Sequence, residues 1–316
     1  MIKNNLVLYI VIPCYNEEEV LPETAKRLRE KMSKLAISQK SRVVLVDDGS
    51  KDRTWKSITE LTARDDLFIG LKLSRNRGHQ NALLAGLEYA GARADAIISM
   101  DADLQDDIGA IDEFLAKYET GAEVVYGVRS ERKKDSWFKR NTAILFYKIM
   151  KWLGVDIIYN HADYRLMSQR AVKELMKFEE VNLFLRGVVP LIGLKTATVK
   201  YARSERYAGK SKYPFRKMLA FAIDGITSFS VKPLKLITSL GIIFLVFSVG
   251  VIIYAIVVRI LGRAVDGWTF IVVSIWLAAS AQMISLGVVG TYVGKIYSEI
   301  KGRPRYIVEE IVGEKA

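Results

Sequence analysis

The stretch "SMDADLQDD" (99–107) places four aspartates in seven positions: Asp101, Asp103, Asp106 and Asp107. Carboxylates this close repel one another, so a metal ion, a basic partner or water must sit among them. Asp101 and Asp103 stand two apart at the end of an apolar run. In extended chain, residues i and i+2 point the same way, which lets both carboxylates face one point. Hard cations such as Mg2+ or Mn2+ take oxygen ligands and commonly join one or two carboxylates to substrate phosphates. Gln105 adds a third oxygen on the same side if the chain stays extended. Asp106 and Asp107 read as caps of a helix beginning near Ile108. Other ion and phosphate motifs fail on spacing. A calcium loop starting at Asp101 needs glycine where Asp106 stands, and a phosphate loop ending at "AGKS" needs one where Ser204 stands. No G-x-G-x-x-G follows a strand.

Those residues need a scaffold. Up to about residue 130, short apolar runs ("LVLYIVIP", "RVVLVDDGS", "LFIGLKLS", "ADAIISMDAD") alternate with stretches of helical spacing ("EEEVLPETAKRLREKMSKL", "RTWKSITELTARD", "GHQNALLAGLEYAGA"). Apolar strands alternating with helices predict an α/β, Rossmann-like, mostly parallel sheet covered on both faces. Such sheets bind ligands at the carboxyl ends of their strands. The polar residues just after the runs are Asn16 and Glu17, Asp47 and Asp48, Asn76, and Asp101 and Asp103. There, Tyr15 can stack on a flat base, while Glu17 and Asp48 can accept hydrogen bonds from a base or ribose. Beyond 130, "NTAILFYKIMKWLG" and "SQRAVKELMKF" read as helices and "TATVKYARSERY" as a strand. His79 and His161 read as polar loop residues, and the single cysteine, Cys14, as packed against the sheet.

Two later runs have a different character. Residues 236–258 carry no charge over 23 positions, and residues 268–293 none over 26. A helix rises about 1.5 Å per residue and a hydrocarbon core is about 30 Å thick, so each run can cross a bilayer. The apolar start of the chain runs into Pro13 and three glutamates and does not read as a signal peptide. Net charge is +12, and eight Lys or Arg residues against one acid fall between Lys195 and Lys217, just before the first run. That position favours lipid head groups or phosphates over nucleic acid. Four basic residues precede the first span and four follow the second, while Arg259 and Arg263 alone lie between. This bias predicts both termini in the cytoplasm. Phe215, Met218, Leu219, Ala222, Ile226 and Phe229 predict a helix lying in the bilayer surface.

The segments "VIPCYNEEE", "VLVDDGSKDRT", "NRGHQNALLAGLEYA" and "MDADLQDD", in this order and spacing, resemble family 2 glycosyltransferases with the GT-A fold, whose DxD metal motif the "DAD" matches. With "HADYRLMSQRAV", "RYAGKSKYPFRKML" and the two spans, the chain is similar over its full length to bacterial polyprenyl-phosphate glycosyltransferases, relatives of dolichyl-phosphate mannose synthase. A processive polysaccharide synthase would carry Q-x-x-R-W, which "LFLRGVVP" lacks.

The resemblance implies that Pro13, Tyr15, Glu17, Val46 and Asp48 line a nucleotide pocket. Asp101, Ala102 and Asp103 would hold the donor, with Asp101, Asp103 and Gln105 around Mg2+ or Mn2+. It places Arg129 near the donor, makes Arg206 and Lys212 phosphate contacts, and gives Asp163 a proposed catalytic position as base or substrate-orienting group. The implied organisation is a cytoplasmic GT-A domain over 1–212, an interfacial region over 213–233, a two-helix membrane region over 234–294 and a cytoplasmic tail over 295–316. The expected partners are a nucleotide-sugar (UDP-glucose first, GDP-mannose second), a polyprenyl phosphate, the cell membrane and further copies of the chain. The competing reading is a non-catalytic, membrane-anchored nucleotide or lipid binder.

Overall fold

A computed structural model describes residues 5–130, 161–181, 185–202, 227, 230–261 and 267–314. Strands β1 (Leu8–Cys14), β2 (Arg42–Asp47), β3 (Phe68–Leu73) and β4 (Ala96–Ser99) alternate with helices α1 (Leu21–Lys34), α2 (Thr54–Arg64) and α3 (His79–Gly91). A 3-10 turn, Ile108–Ala110, leads into α4 (Ile111–Glu119) and β5 (Val124–Arg129). Next come β6 (His161–Ser168), α5 (Gln169–Leu175), α6 (Leu185–Leu191) and β7 (Thr196–Tyr201). Two long helices, α7 (Lys232–Ile260) and α8 (Trp268–Ile300), precede a last strand, β8 (Val308–Val312).

The eight strands form one sheet in the order β7-β5-β6-β4-β1-β2-β3-β8. All share one direction except β6, antiparallel to β4 and β5, and β8, antiparallel to β3. The expected mostly parallel α/β sheet is therefore present. Strand β1 is buried along its whole length because helices cover both faces, which explains why such strands read as unbroken aliphatic runs. On one face, Leu8, Ile10 and Ile12 meet Leu21 and Leu28 of α1 and Phe114 of α4 in a single core. Cys14 joins that core. Helix α3 packs on the other face, and Gly86 sets its approach. A Cβ there would come within 2.3 Å of Val11 Cγ1 and 2.9 Å of Val46 Cγ2, well inside contact distance.

By its internal contacts the chain divides into two compact units, one of residues 1–147, 157–213 and 303–316, the other of 148–156 and 214–302. The first unit thus includes β8, which caps the β3 edge. Around it, Ser74 N–H donates to Ile307 O (3.0 Å), Lys72 pairs with Glu309 (3.3 Å) and Arg93 with Glu314 (2.9 Å). The second unit contains α7 and α8. Mean hydropathy reaches 2.2 over Lys232–Val251 and 1.3 over Leu277–Ile300, and Ile243, Phe247, Ile284 and Val293 are exposed. By length and composition both helices can cross a membrane. Apart from Thr227, the surface helix expected over 215–229 and the helix expected in "NTAILFYKIMKWLG" lie outside the described residues.

Candidate active site

The loops after β1 and β2 are laced together at the carboxyl rim of the sheet. Asn16 adopts a left-handed conformation (φ 53°), which Asn tolerates better than most residues. Its N–H donates to Ser50 Oγ (3.0 Å) and its Oδ1 accepts from Lys51 N–H (2.9 Å). Glu17 N–H donates to Thr54 Oγ1 (2.9 Å), and Glu18 Oε2 accepts from Arg53 N–H (2.9 Å). The result is one shelf carrying Pro13, Tyr15 and Glu17, with Tyr15 and Glu17 partly exposed. Val46 is fully buried under Gly86, so its side chain supports the shelf from within the sheet and offers no surface to a ligand.

Asp48 is buried, and both its oxygens are engaged. Oδ1 accepts from Arg77 N–H (2.7 Å) and Oδ2 from Gly78 N–H (2.9 Å). Burial raises its carboxyl above the ordinary value, and these two bonds partly offset that rise. Asp48 therefore holds the turn that delivers α3. Gly78 sits at φ 87°, a conformation that side chains avoid, and His79 follows as the first helical residue.

Strand β4 stops at Ser99, and the chain bends through "DADL" instead of running on extended. Asp103 Oδ1 accepts from Gln105 N–H (3.1 Å), and Leu104 is left-handed (φ 56°). This corrects the extended geometry expected for Asp101, Asp103 and Gln105. A short carboxylate bonding the backbone two residues on competes with strand pairing, and here the turn wins. Asp101 remains accessible at the rim, while Asp103 and Ala102 are buried.

Asp106 also departs from expectation. It does not cap a helix; it lies buried, and the Tyr201 hydroxyl donates to its Oδ1 at 2.5 Å. Arg129 completes the group, its Nε donating to Tyr201 Oη (3.3 Å) and its Nη2 lying 3.7 Å from Asp106 Oδ1. Burial, then the charge of Asp101, push the Asp106 carboxyl up to about 6, against the Tyr201 bond and the Arg129 charge. Capping falls to Asp107, whose Oδ1 accepts from Gly109 N–H (2.8 Å). Tyr164 donates to Asp107 O (2.9 Å) and stands edge-on to Tyr201. The aspartate loop is thus anchored from β6 and β7. Tyr201→Phe keeps the ring contact but removes the bond to Asp106, and is expected to cost about 1–3 kcal/mol. Thermal unfolding checks this; an unchanged midpoint would remove the anchor.

Because β6 runs antiparallel, its beginning lies at the carboxyl rim, and this brings in Asp163. Its Oδ1 is 2.5 Å from Arg165 Nη2. Arg186 of α6 grips it with two donors, Nη2 to Oδ2 (3.0 Å) and Nε to Oδ1 (3.3 Å). His79 Nε2 stands 3.7 Å from Oδ2. Burial alone would raise this carboxyl, but Arg186, Arg165 and His79 outweigh it and hold it far below the usual carboxylate range. The same His79 nitrogen lies 3.6 Å from Asp101 Oδ1. One imidazole therefore stands between carboxylates from two strand ends.

Residues 9–176 match the family model described as Glycosyl transferase family 2. The chain is 50% identical over 307 residues to the uncharacterized glycosyltransferase YkoT of Bacillus subtilis (strain 168), covering 96% of this chain and 91% of that protein. It is 40% identical over 306 residues to the prophage bactoprenol glucosyl transferase homolog of Escherichia coli (strain K12), covering 96% and 98%. The chain belongs to glycosyl transferase family 2. Its sheet is the GT-A arrangement of that family, and the protein is a glycosyltransferase. Among solved structures, mannosyl-3-phosphoglycerate synthase from Rubrobacter xylanophilus matches at 14% identity with a TM-score of 0.47, covering 69% of this chain and 71% of that one.

The transferase gathers Pro13, Tyr15, Glu17, Asp48, Asp101, Asp103, Arg129 and Asp163 at one rim. Arg206 and Lys212 lie outside the described residues. His79 and His161, expected in loops, instead begin α3 and β6. Arg165, Arg186 and Tyr201 escape the sequence reading, which also gives His79 no part in the site. The one signal available was "ADYRLM", where Arg165 falls two positions after Asp163 and so on the same strand face.

Among the described residues, no three His, Cys, Asp or Glu side chains converge on one point. Asp101 and Asp103 do supply oxygens of the kind a divalent cation takes, leaving positions for substrate oxygens. The potential there is negative enough that Asp101 and Asp103 both drive the Asp106 carboxyl upward, and the same potential favours a cation.

Proposed function

We propose that this transferase moves one sugar, glucose from UDP-glucose, to a polyprenyl phosphate at the cytoplasmic face of the cell membrane. The supporting observation is that similarity to a bactoprenol glucosyl transferase homolog covers nearly all of both chains. It is therefore not confined to the catalytic fold, and reaches the two apolar helices that suit a lipid-borne acceptor. The basic flanks of α7 and α8 favour a two-span arrangement with the catalytic unit in the cytoplasm.

A lipid phosphate monoester, with a second pKa near 6, is largely dianionic at neutral pH. It needs alignment and charge shielding more than a base. One of its oxygens attacks the anomeric carbon from the face opposite the nucleotide. The bond from that carbon to the diphosphate oxygen breaks, its electron pair leaves with UDP, and the configuration inverts. Tyr15 and Glu17 of the shelf take the base and ribose, while Arg129, Arg206 and Lys212 shield phosphates. A divalent cation on Asp101, Asp103 and Gln105 would neutralise the departing diphosphate. Asp163, held ionised by two arginines, serves to orient substrate.

The test incubates purified protein with radiolabelled UDP-glucose, polyprenyl phosphate and Mg2+. Labelled glycolipid is the expected product, and GDP-mannose run in parallel identifies the donor. Nucleotide binding without labelled lipid from either donor would favour the membrane-anchored binder.

A further inference from the structure

Side chains from three elements of the rim meet around His79. Its Nε2 is 3.6 Å from Asp101 Oδ1 and 3.7 Å from Asp163 Oδ2, both too long for a direct hydrogen bond. Facing two carboxylates, this nitrogen carries its hydrogen in the neutral ring as well as the charged one. The space between the three groups therefore offers one donor and two acceptors. A hydroxyl can accept from the ring N–H and give its one hydrogen to either carboxylate. A phosphate oxygen only accepts, and the two carboxylates repel it.

The arrangement is built rather than incidental. Side-chain exposure is 36% for His79, 33% for Asp101 and 30% for Arg186, against 7% for Asp163, so the groups open to solvent above a buried anchor. Asp48 fixes the two residues ahead of His79 through their N–H groups. The next residue, Gln80, accepts from Leu185 N–H through Oε1 (3.1 Å), and buried Arg165 donates to Leu185 O (3.4 Å). The starts of α3 and α6 are therefore locked to each other. Site-forming side chains held this way recognise small differences between ligands.

We propose that His79 donates to a hydroxyl of the transferred sugar, whose own hydrogen goes to Asp101 or Asp163, making His79 a determinant of donor specificity. This rests on the nucleotide-sugar reading above. It is tested by calorimetric titration of the full-length protein in detergent micelles with UDP-glucose and with UDP, each with Mg2+, for the wild type, His79→Ala and His79→Gln. His79→Ala is expected to weaken UDP-glucose roughly five- to twentyfold while UDP changes by less than about twofold. His79→Gln, which returns an N–H donor, is expected to recover most of the loss. Equal weakening of both ligands would assign His79 to the fold or the diphosphate and overturn the inference, as would unchanged UDP-glucose affinity in His79→Ala. A wild type that binds neither ligand would instead overturn the nucleotide-sugar reading, and this inference with it.

Discussion

Asp103→Ala is expected to lower sugar transfer about a hundred- to a thousandfold, the scale of losing one group that stabilises developing charge. Asp103 carries half of the acidic pair and also closes the turn through Gln105 N–H. Asp103→Asn separates the two roles, because its amide oxygen can still accept that bond while the negative charge is gone. Both variants should be nearly inactive at ordinary Mg2+, and Asp103→Asn alone should regain part of its rate as Mn2+ is raised. The measurement is initial rate against metal concentration. Wild-type rates in Asp103→Asn at every concentration would show that the charge of Asp103 is dispensable and would remove it from the cation site.

The second large effect concerns Asp163→Asn. It leaves Arg165, 1% exposed, and Arg186 beside a neutral amide, and breaking a buried pair in this way costs about 3–5 kcal/mol. For a unit of this size that corresponds to a fall in Tm of roughly 6–20 °C. The sign of the pH dependence follows from the depressed carboxyl. Stability from the pair is complete above the unfolded value of about 3.9, and is lost only as pH falls through the lower folded value. Asp163 therefore stays ionised across the neutral range. The wild-type rate should show no limb from this residue between pH 6 and 9, whereas a titrating base would give one. A Tm within about 2 °C of wild type would contradict the ion-pair account.

The central strands and their helices were legible because burial on both faces writes unbroken aliphatic runs, and α1 keeps Leu21, Ala25, Leu28 and Met32 on one side. The rule that ligands gather at carboxyl ends then located the shelf, Asp101 and Asp103. Strand β6 was hidden for a physical reason. Its Asp163 and Arg165 neutralise each other inside the protein, so the sequence shows charge where the fold has core. Asp106 looks like a cap in sequence because its partner Tyr201 lies 95 positions away. The turn at 101–105 is not legible because its local side-chain bond competes with extension in a way that periodicity does not record.

Strand β8 has a consequence for how the protein is made. Lys72 and Glu309, which meet across β3 and β8, lie 237 positions apart. At about 5–20 residues per second, a ribosome needs roughly 12–47 s to supply the partner of the β3 edge. During that interval the nascent sheet has a bare flank while two strongly apolar helices emerge from the exit tunnel. On the two-span reading, delivering those helices promptly to the insertion machinery protects the unfinished catalytic half as well as the helices themselves.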